Sequence, residues 1–170
     1  WRGDGSYYFS RYNHCWGWAS WRRCWQKYNC DLNIWPSLRK TGLLEAIFED
    51  PLERNYWSDI WQRLLDEGRP DTWDYQWAFT CLVNGGLTAL PNRNLVSNIG
   101  FGGDSTHTTV EREPTTIDEG LGKLTHPQFI LRDATADRYT FNHHFGGNAI
   151  RRRRQNLPLR AIKLFQRIYK

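Results

Sequence analysis

The chain has 170 residues and is rich in aromatics, with 10 Trp, 8 Tyr and 8 Phe against no Met. A hydrophobic fraction of 39% supports a packed core and excludes general disorder; no run approaches the roughly 18 to 20 apolar residues of a transmembrane helix, and the charged start lacks the apolar stretch of a signal peptide. The net charge of +5 belongs to the tail, because residues 151–170 carry eight basic side chains and no acid while residues 1–150 hold 15 bases and 18 acids.

In chain order, the first feature is Trp1 where a translation product would start with Met, so the sequence reads as a fragment or a processed product. All ten Trp fall at or before residue 77. Trp18, Trp21, Trp25 and Tyr28 recur at three- and four-residue spacing, which predicts a helix with those rings on one face and Arg22, Arg23, Gln26 and Lys27 on the other. Pro36 marks a break. Leu43, Leu44, Ile47 and Phe48 predict a second helix. A third, over 55–67, carries Tyr56, Trp57, Ile60, Trp61, Leu64 and Leu65 on one stripe and ends at Gly68. A fourth starts near Asp71 or Thr72, either of which can cap it, and presents Trp73, Trp77, Cys81 and Leu82 before Gly85 and Gly86.

Beyond Gly86 the pattern changes to two short strands, 87–90 and 95–99, joined by a Pro-Asn-Arg-Asn turn. A glycine-rich loop over 100–107 and a polar connection over 108–120 follow. Pro127, Phe129 and Ile130 predict one more short element, and a basic helix is expected from Pro158. The expected organisation is a body over 1–147 and a basic, amphipathic tail over 148–170. The four cysteines, Cys15, Cys24, Cys30 and Cys81, show no C-x-x-C spacing and read as reduced thiols, one or two disulfides being the alternative.

Three places could carry chemistry. Asp74 sits in the first turn of the fourth helix, where a carboxylate is stabilised, and Trp73 and Trp77 give it apolar walls suited to a sugar face. The plainer reading is an N-terminal acid beside two core indoles. Next, the loop from Gly100 through Phe101 and Gly102 to His107 lets backbone approach a phosphate, and His107 could ligate a metal, but the loop matches neither a Walker nor a dinucleotide pattern. Last, Leu159, Ile162 and Phe165 alternate with Arg160, Lys163 and Arg167 behind Arg151 to Arg154, which suits either an anionic membrane surface or a terminal helix with solvated charges. His143 and His144 read as a solvated pair, and no Asp-x-Asp occurs. Nucleic-acid binding is not expected, since the body is net acidic.

The strings Ser6 to Tyr12, His14-Cys15-Trp16-Gly17-Trp18-Ala19-Ser20-Trp21-Arg22-Arg23, Asp71-Thr72-Trp73-Asp74-Tyr75-Gln76-Trp77 and Leu95 to Gly102 resemble the C-terminal half of bacterial, notably cyanobacterial, family 2 type glycosyltransferases. Some members of that group carry a hemolytic-protein-like label. A more distant likeness is to N-acetylglucosaminyltransferase I, in which a Trp-Asp pair opens a helix and a Phe-Gly loop ends in Ser/Thr-His. The resemblance covers about residues 6–145. It implies an α/β, A-type glycosyltransferase fold of which this chain holds the helix-rich acceptor side with a few short strands, the nucleotide-binding half with its Asp-x-Asp being absent.

The same resemblance implies an inverting transfer from a nucleotide-diphospho-sugar to a carbohydrate or glycolipid acceptor. Asp74 would be the base, and Trp16, Gly17, Trp18, Trp73 and Trp77 would line the sugar cleft. Gly100, Phe101 and Gly102 would close over the diphosphate, and His107 would help hold a Mn²⁺ or Mg²⁺ bound mainly outside this chain. Reduced thiols point to a cytoplasmic location, peripheral to the inner face of the membrane if the basic tail meets anionic lipid. Two other function classes are a non-catalytic carbohydrate-binding module and a membrane-active protein.

Overall fold

The computed structural model describes residues 1–68, 72–97, 116–118 and 120–156. Over these the chain is mixed α/β, with seven helices and one two-stranded antiparallel sheet. In order they are β1 (Tyr7–Ser10), α1 (Arg22–Trp25), α2 (Trp35–Leu38), α3 (Leu44–Ile47), α4 (Pro51–Glu67), α5 (Asp74–Val83), β2 (Thr88–Pro91), α6 (Ala134–His143) and α7 (Gly147–Gln155). Among the described residues no helix is long and apolar enough to cross a membrane.

The longest helix, α4, organises the core. Asp50 accepts the Leu52 N–H at 2.9 Å and Pro51 occupies the first turn, so the helix starts four residues before the expected start at residue 55. Its Trp57, Ile60, Trp61 and Leu64 are buried against Trp35 of α2, Phe48, Phe79 of α5 and Phe141 of α6. Trp61 lies edge-on to Trp35 at 5.4 Å and to Phe79 at 5.1 Å between ring centroids, the geometry that aromatic quadrupoles favour.

The expected helix over Trp18–Tyr28 is only the single turn α1. Gly17 is left-handed at φ +61° and Trp21 is extended at ψ 140°, so Trp18 precedes the helix and does not belong to it. Its ring meets Trp25 nonetheless, at 5.7 Å, because the chain folds back.

Of the two strands expected at 87–90 and 95–99, the first appears as β2, and residues 98 and 99 of the second lie outside the described residues. β2 pairs with β1 in the register Tyr7↔Pro91, Tyr8↔Leu90, Phe9↔Ala89 and Ser10↔Thr88, and residues 95–97 have no regular structure. Asn92 enforces this distant pairing. Its amide accepts from the Arg2 N–H at 2.8 Å and donates to the Arg2 and Gly5 carbonyls, clamping the start of the chain against the end of β2. On the other side of β1, Phe9 bridges to Arg132, and its carbonyl accepts from the Asp133 N–H at 2.8 Å.

Helix α6 had no counterpart in the apolar pattern. Asp133 caps it by accepting from the Thr135 and Ala136 N–H groups at 3.0 and 2.8 Å. Its buried face includes Asp137, a carboxylate where periodicity looks for an apolar residue. The element expected around Pro127–Ile130 has no regular structure. The basic run Arg151–Arg154 lies in α7, whereas the tail helix expected from Pro158 falls outside the described residues.

Candidate functional site

Asp74 is the first residue of α5, which places its carboxylate at the positive end of a ten-residue helix. The cap position is Trp73, without a side-chain cap. Thr72, expected to cap, gives its hydroxyl to the Asp74 carboxylate instead, while Gln76 donates back to the Thr72 carbonyl at 2.9 Å. Asp71 lies outside the described residues.

In front of Asp74 is a cleft of about 130 Å³. One wall is the segment after β1, with Asn13, His14, Cys15 and Trp16; the other is Asp74, Tyr75 and Ala78 of α5, and His144 and Phe145 close the end. Two candidate residues from the sequence, Asp74 and Trp16, therefore share one cavity. Trp16 is 60% exposed, so much of its indole is open to solvent.

The other aromatic candidates assemble beside this cleft. Trp18 stacks on Trp73 at 4.8 Å and 27°, and it lies 5.9 Å from Trp77. Trp25 stacks on Tyr28 at 4.6 Å and contacts Trp77 at 5.0 Å. Trp77 is buried under this cluster, so it supports the exposed rings from below and is no wall of the cavity. Gly17 makes its close approach to protein: a Cβ at this position would lie 2.6 Å from Val96 Cγ2. The Trp-Gly-Trp string and the start of the Leu-Val-Ser-Asn string thus meet in space. Gly100, Phe101, Gly102 and His107 lie outside the described residues.

The segment carrying Asn13–Trp16 is held by a buried polar network that the sequence reading missed. Ser10 Oγ donates to Asp137 Oδ1 at 2.6 Å, and the Arg11 N–H donates to the same oxygen at 3.2 Å. The Arg11 guanidinium pairs with Glu53 Oε1 at 2.6 Å, donates to the Ile47 carbonyl and lies 4.8 Å from the Phe48 ring centroid. Tyr12 donates its hydroxyl to Glu53 and accepts from the Trp57 indole at 3.2 Å. Burial raises the Glu53 and Asp137 carboxyls above their ordinary range, against the pull of Arg11 and their hydrogen-bond donors. One buried guanidinium thus serves two buried carboxylates.

Two histidines line the cleft, His14 and His144, the latter exposed as expected of a solvated pair. The His14 and His144 rings are 5.8 Å apart and roughly perpendicular, whereas the neighbouring His143 stacks on Tyr139 at 4.3 Å. The sequential His pair is split between two environments. Burial, and then the neighbouring His144, push His14 below its ordinary value, so it is a neutral imidazole at pH 7, able to accept a hydrogen bond. The signal in the sequence was its place two residues before Trp16. Cys15 is pushed up by burial and by the charge of Asp74, which keeps it a thiol and a poor nucleophile. All four cysteines are unpaired.

The cleft joins a carboxylate, a neutral imidazole and an exposed indole, a set that can hydrogen-bond a hydroxyl, take its proton and stack on its ring. Among the described residues no three His, Cys, Asp or Glu side chains converge as a metal ion requires. No family model matches the chain, and no curated protein or solved structure matches it.

Proposed function

We propose that the chain is the acceptor side of an inverting glycosyltransferase of A-type fold, transferring a sugar from a nucleotide-diphospho-sugar to a carbohydrate or glycolipid hydroxyl. The observation that supports this most is the joining of Asp74 and Trp16 in one cleft beside the Trp18–Trp73 stack. In this reading the Asp74 carboxylate takes the proton of the acceptor hydroxyl. The oxygen attacks the anomeric carbon as the bond to the diphosphate breaks, and the leaving group departs with the electron pair, inverting the configuration. His14 accepts a hydrogen bond from a second acceptor hydroxyl, and Trp16 stacks on the sugar ring.

The Mn²⁺ or Mg²⁺ of the expected fold finds no donor set among the described residues. Its ligands, the nucleotide-binding side and the glycine-rich loop with His107 belong to the proposal without geometry from the described residues. The experiment is Asp74→Asn in a protein that also carries the nucleotide-binding side. Transfer should fall by roughly 10² to 10⁴, the usual worth of a positioned base, with donor affinity nearly unchanged. Retained turnover would remove Asp74 from the mechanism.

The exposed indoles favour one second reading, a carbohydrate-binding module without catalysis. It differs in its outcome: glycan binding would need no nucleotide-sugar, and Asp74→Asn would alter affinity alone.

A further inference from the structure

The stretch 16–23 is exposed at every residue, and it includes Trp16 at 60% and Trp21 at 68%. Trp18, Trp25 and Trp73 extend the same apolar surface, being half-exposed and in mutual ring contact. A patch of this kind on a protein surface signals an interaction. Its charge narrows the partner. Arg22, Arg23 and Lys27 are exposed in the same segment, Arg23 lies 5.1 Å over the Trp21 ring, and no acidic residue occurs between Gly5 and Cys30.

A glycan platform would pair open indole faces with carboxylates or amides directed at hydroxyls. Here the exposed Trp21 carries Arg23 over its ring, the segment itself holds cations and no acid, and the inner faces of Trp18 and Trp73 cover each other. Indoles that stand out from the surface beside arginines match a bilayer interface, where Trp partitions to the headgroup level and basic side chains meet lipid phosphates. The turn α1 is too short to make an amphipathic helix, so the surface would work through protruding rings and not through an inserted helical face.

We propose that the Trp16–Trp25 surface docks this protein on an anionic phospholipid bilayer. The proposal does not invoke the basic residues beyond Asn156 and does not depend on glycosyl transfer. Trp16 belongs both to the surface and to the cleft wall, so docking would turn the mouth of the Asp74 cleft toward the lipid headgroups.

The test is co-sedimentation of the 170-residue chain with vesicles of phosphatidylcholine alone or in equal parts with phosphatidylglycerol, alongside tryptophan emission. Association with the anionic vesicles, a blue shift and quenching by acyl-brominated lipid are expected. The pair Trp16→Ser with Trp21→Ser should weaken association at least about tenfold. Arg22→Gln with Arg23→Gln should weaken it by a similar factor on anionic vesicles and leave the neutral ones unchanged. A chain ending at Asn156 should keep most of the binding. All four substituted positions are exposed, and near-UV circular dichroism checks the fold; if one pair unfolds the chain, the other decides. Absence of vesicle binding, wild-type binding by the folded pairs, or loss of binding on truncation at Asn156 would overturn the proposal. So would an emission shift caused by neutral oligosaccharides and not by vesicles.

Discussion

The backbone of Gly17 lies against the side chain of Val96 so closely that a Cβ at residue 17 would meet Val96 Cγ2 at 2.6 Å. The contact fixes the turn between Trp16, which faces the cleft, and Trp18, which faces the aromatic cluster. Gly17 is required twice over, by this contact and by its φ of +61°.

Gly17→Ala should therefore destabilise the fold by about 2 to 4 kcal/mol, combining the left-handed penalty with overpacking. Val96→Ala in the same chain should recover the steric part and leave about 1 to 2 kcal/mol of the conformational part. Urea unfolding of the two single variants and the double variant measures the coupling. Additive losses would mean that the two residues do not touch.

The buried carboxyls predict an unusual pH response. A group whose folded pKa is raised contributes most below its unfolded value and loses that contribution as pH rises through the folded value. For Glu53, raised from an ordinary 4.5, the loss begins near that pH and extends above it. The stability advantage of wild type over Glu53→Gln should shrink as pH rises from 4.5 toward neutrality, as measured by urea unfolding at successive pH values. An advantage that grows over this range would show that the Arg11 pair outweighs burial.

His14 has the opposite sign. Its folded value is depressed below the ordinary 6.5, so the fold binds fewer protons than the unfolded chain. The contribution is present above pH 6.5 and is lost as pH falls through the folded value. His14→Gln should flatten that part of the stability profile, and the His14 ring signals in an NMR titration should move below those of free imidazole. Titration at or above 6.5 would contradict the burial of the ring.

Tryptophans of the same chain should differ sharply in cost. Trp61→Ala empties a fully buried position in the core and should cost about 3 to 5 kcal/mol. Trp21→Ala removes a ring that is 68% exposed and should stay within about 0.5 kcal/mol. Thermal unfolding of both variants provides the comparison; a large loss at Trp21 would mean that its ring is packed in solution.

The sequence by itself determined the local features: the α4 stripe of Trp57, Ile60, Trp61 and Leu64, the place of Asp74 in the first turn of α5, and the mixed, helix-rich character. These depend on side-chain period and on caps within a few residues, which any reader of the chain can count. Tertiary structure alone decided the partners. β2 pairs with β1, some eighty positions away, because Asn92 and the Ser6 and Gly5 backbone close that ladder. His14 and His144 met across the cleft, and Arg11 gathered Glu53 and Asp137 from two helices. Periodicity looks for apolar residues at buried positions, and a buried carboxylate is admitted only where a distant partner satisfies it, which sequence spacing cannot express.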